Sequence, residues 1–530
     1  MELALRPEEL LLHQSLRNAR RFGKDNVESQ RKRVRIRAYR FSPGWPLKSA
    51  ILMCTVQESS VDGTVGAHLP RKFGLLNAIS INMSNMVGTG PFITVPAILA
   101  TMGGPQALLC WFLGAAIAIA DGLVFAELGT SFPSSGGSYN YLRECFDRNG
   151  LGRLMAWLFV WQFLFSGTLE IATSTVGMAA YASYLFKNLA LHPWAIKFLA
   201  ASLSLSAMML LYRKINEIAR TMLVLWIGLM LTSAWVVIEG FLHFHLKLLL
   251  DFPPGAFHLN IAFLLGIGNG TMLVMFNFLG YYNICHLGDE IRKPERVIPY
   301  GILGSIVLVL LLDFCVSVAF TGVLPWREMI QPGTVIYDAV GSVFMQRVAG
   351  SWAALGMTVM ILVTAFASTY SMMLGYSRIP YAAALDGTFF RYFSKTHPRK
   401  DFPHRSVLLV GILSAAASFF SLVQIITALL LARILVMFVA QIIGLFLLRK
   451  RHPAFPRPFR MWLYPIPAVF AMLSWLYIFT AQAFDPDGWK YMLYVVAVIS
   501  SGTILYLIIA RRQAYWPYLQ EAPAAALEIP

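Results

Sequence analysis

The sequence predicts an all-α integral membrane protein with twelve transmembrane helices, and three observations lead there. First, the chain is 57% hydrophobic and 13% charged with a mean hydropathy of +0.61, whereas a soluble domain carries roughly 25% charged residues. Second, apolar runs of about 20 residues, the length that crosses a bilayer, recur along the chain. Third, Lys and Arg gather on alternate connections. With the N-terminus placed inside, inner loops hold about 22 of them against about 7 elsewhere, a strong positive-inside bias. Both termini then face the cytoplasm, which requires an even number of spans.

Residues 1–72 come first. They are polar and basic, including the run Arg31-Lys32-Arg33-Val34-Arg35-Ile36-Arg37. No short apolar core precedes a small-residue cleavage site, so a cytoplasmic tail is expected rather than a signal peptide. The net charge of +16 is laid out for topology and anionic lipid headgroups, and no nucleic-acid partner is expected. The five cysteines, Cys54, Cys110, Cys145, Cys285 and Cys315, form no CxxC pair. Neither a disulfide framework nor a metal site is indicated.

The spanning segments fall near 75–100, 105–130, 151–185, 195–212, 217–241, 260–285, 299–323, 350–379, 405–426, 428–448, 462–482 and 490–510. Segments three and eight are long, which implies tilt or extension beyond the bilayer. Residues 511–530 form a cytoplasmic C-terminal tail. Segment one carries Gly88-Thr89-Gly90-Pro91 at its centre. Gly costs about 1 kcal/mol in a helix interior and Pro about 3, and Pro91 has no N–H to bond Val87. In lipid such a break survives only where protein or a watery cavity satisfies the freed backbone. Segment six has a second weak point. Gly266, Gly268 and Gly270 open it, and Gly280 lies between bulky residues with Asn277 and Asn283 nearby. If segments one to five (73–241) repeat as six to ten (260–448), the two breaks correspond. Segment one starts inside and segment six outside, so the repeat is inverted. Paired interruptions of this kind point to a solute site at mid-membrane.

Ordered motifs carry a resemblance. Gly88-Thr89-Gly90-Pro91-Phe92 resembles G-S-G-I-F, with Thr89 for Ser and Pro91 for an aliphatic residue. Phe125-Ala126-Glu127-Leu128-Gly129 resembles Y-A-E-L-G, and Pro133 with Gly136-Gly137-Ser138-Tyr139 and Tyr141 resembles P-x-x-G-G-x-Y-x-Y. Phe278-Leu279-Gly280 and the stretch Gly288 to Pro299 resemble the signature that follows helix six. Ser377-Arg378, Asp386-Gly387 and Arg457-Pro458-Phe459 complete the series. Together they resemble amino acid permeases of the amino acid–polyamine–organocation superfamily, from about 75 to 510. Ala384-Leu385 stand where relatives often have Arg.

The resemblance implies a LeuT-like fold: five-plus-five inverted repeats, broken helices one and six, and two additional C-terminal helices at 462–510. It implies alternating access in the cell membrane. A substrate carboxylate would meet the N–H groups of Gly88, Thr89 and Gly90, where a half-helix N-terminus favours negative charge. Its ammonium would meet the carbonyls of Met86, Phe276 and Leu279. Phe276 would lie over the ligand, with Asn277 beside it and Gly280 at the break. Tyr282 and Asn283 would read the side chain. Polyamine or organic-cation carriers and a non-transporting amino-acid sensor share the fold and stay open as alternatives.

Ionisable groups inside a membrane are costly and functional by default. Glu170, near mid-depth in segment three, could bind a cationic group, carry a coupling proton, or be silently paired. Asp313 and Asp121 are weaker candidates of the same kind, Glu127 suits a gate or packing near the inner face, and Arg433 is expected to snorkel or to pair. By resemblance, Ser368 and Thr369 could supply hydroxyls to a coupling sodium. The coupling ion is thus a proton or sodium, or exchange is uncoupled. No cofactor is expected. An enzyme is not expected either, since no HExxH, GxSxG or Walker A pattern occurs. The nearest cluster, His286 with Asp289 and Glu290, falls inside the stretch that resembles the permease signature.

Overall fold

Among the described residues of the computed structural model, ten elements are long and apolar enough to cross a bilayer, counting one bent pair as a single span. The structure describes residues 71–517 except positions 72, 89, 135, 149, 187–191, 212–217, 398–401, 514 and 516, with backbone alone over 218–226 and at 229. The basic tail and Thr89 therefore lie outside the described residues, as does most of the C-terminal tail. Among the described residues regular structure is helical. One isolated backbone bridge, Phe73 to Ile291, ties the start of the first helix to the connection after the sixth segment.

The first segment is two helices, α1 (Leu75–Met86) and α2 (Gly90–Met102), bent by 54°. Then come α3 (Leu109–Ser131), α4 (Ser138–Cys145), α5 (Leu151–Leu185) and α6 (Pro193–Leu210). The next are α7 (Ile218–Leu242), α8 (Ile261–Phe278) and α9 (Pro294–Val323). A short helix α10 (Val340–Ala349) precedes α11 (Ser351–Tyr376), which runs on through α12 (Arg378–Leu385). The series closes with α13 (His404–Ala417), α14 (Leu422–Arg433), a π-helical stretch Ile434–Val439, α15 (Ala440–Arg451), α16 (Ile466–Ala483) and α17 (Gly488–Gln513). Each expected segment has a helical counterpart. The shorter apolar helices are α13 and the Met230–Leu242 part of α7.

Three boundaries differ from the sequence reading for local reasons. The ninth segment stops at Ala417 and the tenth begins at Leu422, because Ser421 and Gln424 form a reciprocal capping box. The seventh begins at Pro294, since proline at a first helical position has no donor to lose. The sixth ends at Phe278, ahead of Gly280.

The outer surface is apolar. Phe112, Leu311, Trp352 and Ile508 are all exposed, and the apolar stretch of α17 is only 22% buried in the protein. Such a surface belongs in hydrocarbon. Polar groups turn inward. Tyr181 donates to the Phe92 carbonyl at 2.7 Å and accepts from Gly341 N–H at 3.1 Å, joining α5, α2 and α10.

Candidate functional site

The chain between α8 and α9 runs through Leu279–Asn283 without continuing α8. Gly280 has φ +109°, the left-handed region that glycine tolerates. A Cβ there would stand 2.9 Å from the Asn85 Cβ, so the break also presses against α1. Asn82 of α1, fully buried, satisfies backbone that the break frees. Its Nδ2 donates to the Tyr281 carbonyl at 2.6 Å, and its Oδ1 accepts from Ile284 N–H at 2.9 Å. Asn82 thus does the work that water cannot do in hydrocarbon.

The two interruptions also meet directly. Asn277 Nδ2 donates to Thr94 Oγ1 at 3.0 Å and to the Leu273 carbonyl at 3.1 Å, and Thr94 donates to the Gly90 carbonyl at 2.9 Å. A Cβ on Gly90 would overlap the Asn277 amide oxygen. Gly90 is therefore required by close approach of the second broken segment.

A cavity of about 300 Å³ of empty space, counting the part open to solvent, lies at this junction. Met86, Gly88, Gly90, Glu170, Phe276 and Ser368 line it, all of them singled out from the sequence. Asn85, Thr173, Ser174 and Met372 line it too. Helical spacing holds part of that second set: Thr173 and Ser174 stand three and four residues beyond Glu170, and Met372 four beyond Ser368, on shared faces. Asn277, Leu279, Gly280, Tyr282 and Asn283 surround the junction without lining the cavity. The Phe276 carbonyl already accepts from Leu279 N–H at 3.2 Å.

The ionisable residues separate by their partners. Glu170 Oε2 accepts from Arg433 Nη2 at 2.5 Å, with both side chains buried. Arg433 does not reach toward the interface. Its Nε donates to Ser166 Oγ at 3.1 Å, its Nη1 donates to Tyr282 Oη at 3.2 Å, and its guanidinium sits 5.0 Å from the centre of the Phe163 ring. Arg433 is also the last residue before the π-helical stretch, a departure often found at functional sites. Asp121 accepts from Tyr281 Oη. Asp313 is fully buried in α9 with neither carboxyl oxygen hydrogen bonded among the described residues. The Thr369 hydroxyl donates to the Ala365 carbonyl at 2.9 Å, and Thr369 is absent from the cavity wall. Glu127, fully buried, accepts from Arg449 Nε at 2.8 Å and Nη2 at 2.5 Å and from Met461 N–H at 2.7 Å.

Comparison with known proteins agrees with this architecture. The amino acid permease family profile matches residues 73–502. The chain is 24% identical to the branched-chain amino acid permease BcaP of Bacillus subtilis, over 84% of this chain and 94% of the relative. It is 26% identical to the vacuolar cationic amino acid transporter 4 of Arabidopsis thaliana, over 67% of this chain and 59% of that longer relative. It is 23% identical to the serine/threonine exchanger SteT of Bacillus subtilis, over 77% of this chain and 90% of the relative. Apolar multi-span helices, two interrupted segments meeting at a cavity and a profile match over most of its length place this chain in the amino acid permease family, a branch of the amino acid–polyamine–organocation superfamily.

Proposed function

We propose that this chain is a secondary transporter that moves amino acids across the cell membrane by alternating access, with a proton as the coupling ion. The observation that carries the reading is the cavity at the meeting of the two interrupted segments. Its wall is built from Gly88 and Gly90, the hydroxyl-bearing residues Thr173, Ser174 and Ser368, and Phe276. Backbone groups at a helix break bind the carboxylate and ammonium common to all α-amino acids.

The arrangement proposed is twelve spans: nine helices, the bent α1–α2 pair, and α7 and α13. Residues 73–241 and 260–448 form two inverted repeats, 462–510 add two helices, and both termini are cytoplasmic. Among the coupling candidates, Asp313 suits a proton best. Glu170 is held by Arg433 and Asp121 takes a hydrogen bond from Tyr281, whereas Asp313 has neither kind of partner among the described residues. A carboxyl buried without a partner is stable in that place only when uncharged, so ionising it favours a rearranged state.

Uptake of labelled amino acids and polyamines into proteoliposomes tests this, with a proton or a sodium gradient imposed in turn. The expected result is proton-driven accumulation of amino acids by the native chain. Asp313→Asn should abolish accumulation while exchange across the membrane continues. Accumulation driven by sodium, or by protons in Asp313→Asn, overturns the coupling assignment. Uptake of polyamines alone overturns the substrate class.

A further inference from the structure

The cavity wall contains one carboxylate, that of Glu170, and its charge is already answered from outside the cavity. Arg433 does not line the cavity, yet its Nη2 is 2.5 Å from Glu170 Oε2 and its side chain is 0% exposed. It is held from behind on several sides, by Ser166, by Tyr282 and by the ring of Phe163. Swinging away would break all of these at once.

We propose that Arg433 is a specificity-determining residue: by neutralising Glu170 it makes the cavity electrically neutral, so the site takes zwitterionic amino acids with uncharged side chains and rejects cationic ones. This rests on reading the cavity as the substrate site, and goes beyond it by naming the class of substrate. A zwitterion's own charges are met by backbone at the two breaks. A lysine or arginine side chain has to take the Glu170 carboxylate from Arg433. That leaves a buried guanidinium without its counter-ion, which is strongly unfavourable in a low-dielectric interior. The rest of the wall mixes Asn85, Thr173, Ser174 and Ser368 with the apolar Met86, Phe276 and Met372, and among the described residues it holds no second charged group to receive a cation.

The test measures displacement of labelled serine from the purified full-length chain by unlabelled alanine, threonine, lysine and arginine. In the native chain alanine and threonine should displace at concentrations about tenfold or more below those of lysine and arginine. In Arg433→Met the lysine-to-threonine ratio should shift toward lysine by about tenfold or more, since Glu170 is then unmasked. In Glu170→Gln/Arg433→Met the ratio should return to within about threefold of native, because no charge remains to recognise the cation. A native chain that binds lysine as well as threonine overturns the proposal, as does a folded Arg433→Met with the native ratio. If Arg433→Met does not fold, the native ratio and the double variant decide, and a double variant that favours lysine overturns it. Displacement needs no transport, so the two readings fail separately. Binding of labelled lysine without binding of labelled serine sinks the specificity claim, while binding of neither label sinks the permease reading.

Discussion

At the scale of single residues, the site depends on how closely two breaks approach. Gly90 was legible in the sequence as a helix breaker, but its reason was not. The sequence suggests a residue kept small for a ligand, whereas the structure places the Asn277 amide oxygen where a side chain would begin. Gly90→Ala should therefore destabilise by about 1–3 kcal/mol, the usual cost of overpacking a filled interior. Gly90→Ala/Asn277→Ala should recover most of that loss, because the obstruction is gone even though the Thr94 bond is lost with it. Thermal unfolding in detergent measures both variants. A single variant as stable as the native chain shows that the contact is slack. Asn82 teaches the converse. It is one more polar residue in an apolar run, and nothing in its local sequence says that it caps a break some 200 positions away. Pairing across such a separation is a property of the fold, so a linear reading passes it by.

At the scale of elements, the C-terminal end of α3 is clipped to two others by one carboxylate. Glu127 reaches the α15 terminus through Arg449 and the approach to α16 through the Met461 N–H. The Arg449 guanidinium also lies 3.6 Å from the centre of the Tyr464 ring. Two neighbouring segments are thus held to a third, more than 300 residues earlier, by a group with no exposure to solvent. The sequence marks Glu127 as a gate or packing residue, and its bonds tie α3 to both of these segments. Losing one partner of a buried pair costs about 3–5 kcal/mol, because the remaining charge is stranded. Arg449→Met should lower thermal stability accordingly, and Glu127→Gln/Arg449→Met should regain at least half of it. A double variant no better than the single would mean that Arg449 acts through the Tyr464 face rather than through charge.

At the scale of the whole molecule, the positions of the apolar segments were legible because the bilayer imposes a length on them. The break positions were legible because Gly and Pro are rare punctuation there. Which polar groups meet inside was not, since partners such as Glu170 and Arg433 lie on segments three and ten and only packing joins them. The span that tests the twelve-helix reading hardest is α13. Its 14 residues rise only about 21 Å at 1.5 Å each, short of a hydrocarbon core of about 30 Å. It crosses only if its flanks continue the path, as Pro403 before it and Phe419–Phe420 after it allow. Thr396 and Phe420 are both exposed and stand on either side. In a background with the five native cysteines replaced, Phe420→Cys should react with a membrane-impermeant maleimide on intact cells. Thr396→Cys should react only after permeabilisation. Reaction of both from one side would mean that α13 does not cross. The helices after it would then invert, the C-terminal arginines Arg511 and Arg512 would face outward against the charge bias, and the two repeats would no longer have five spans each.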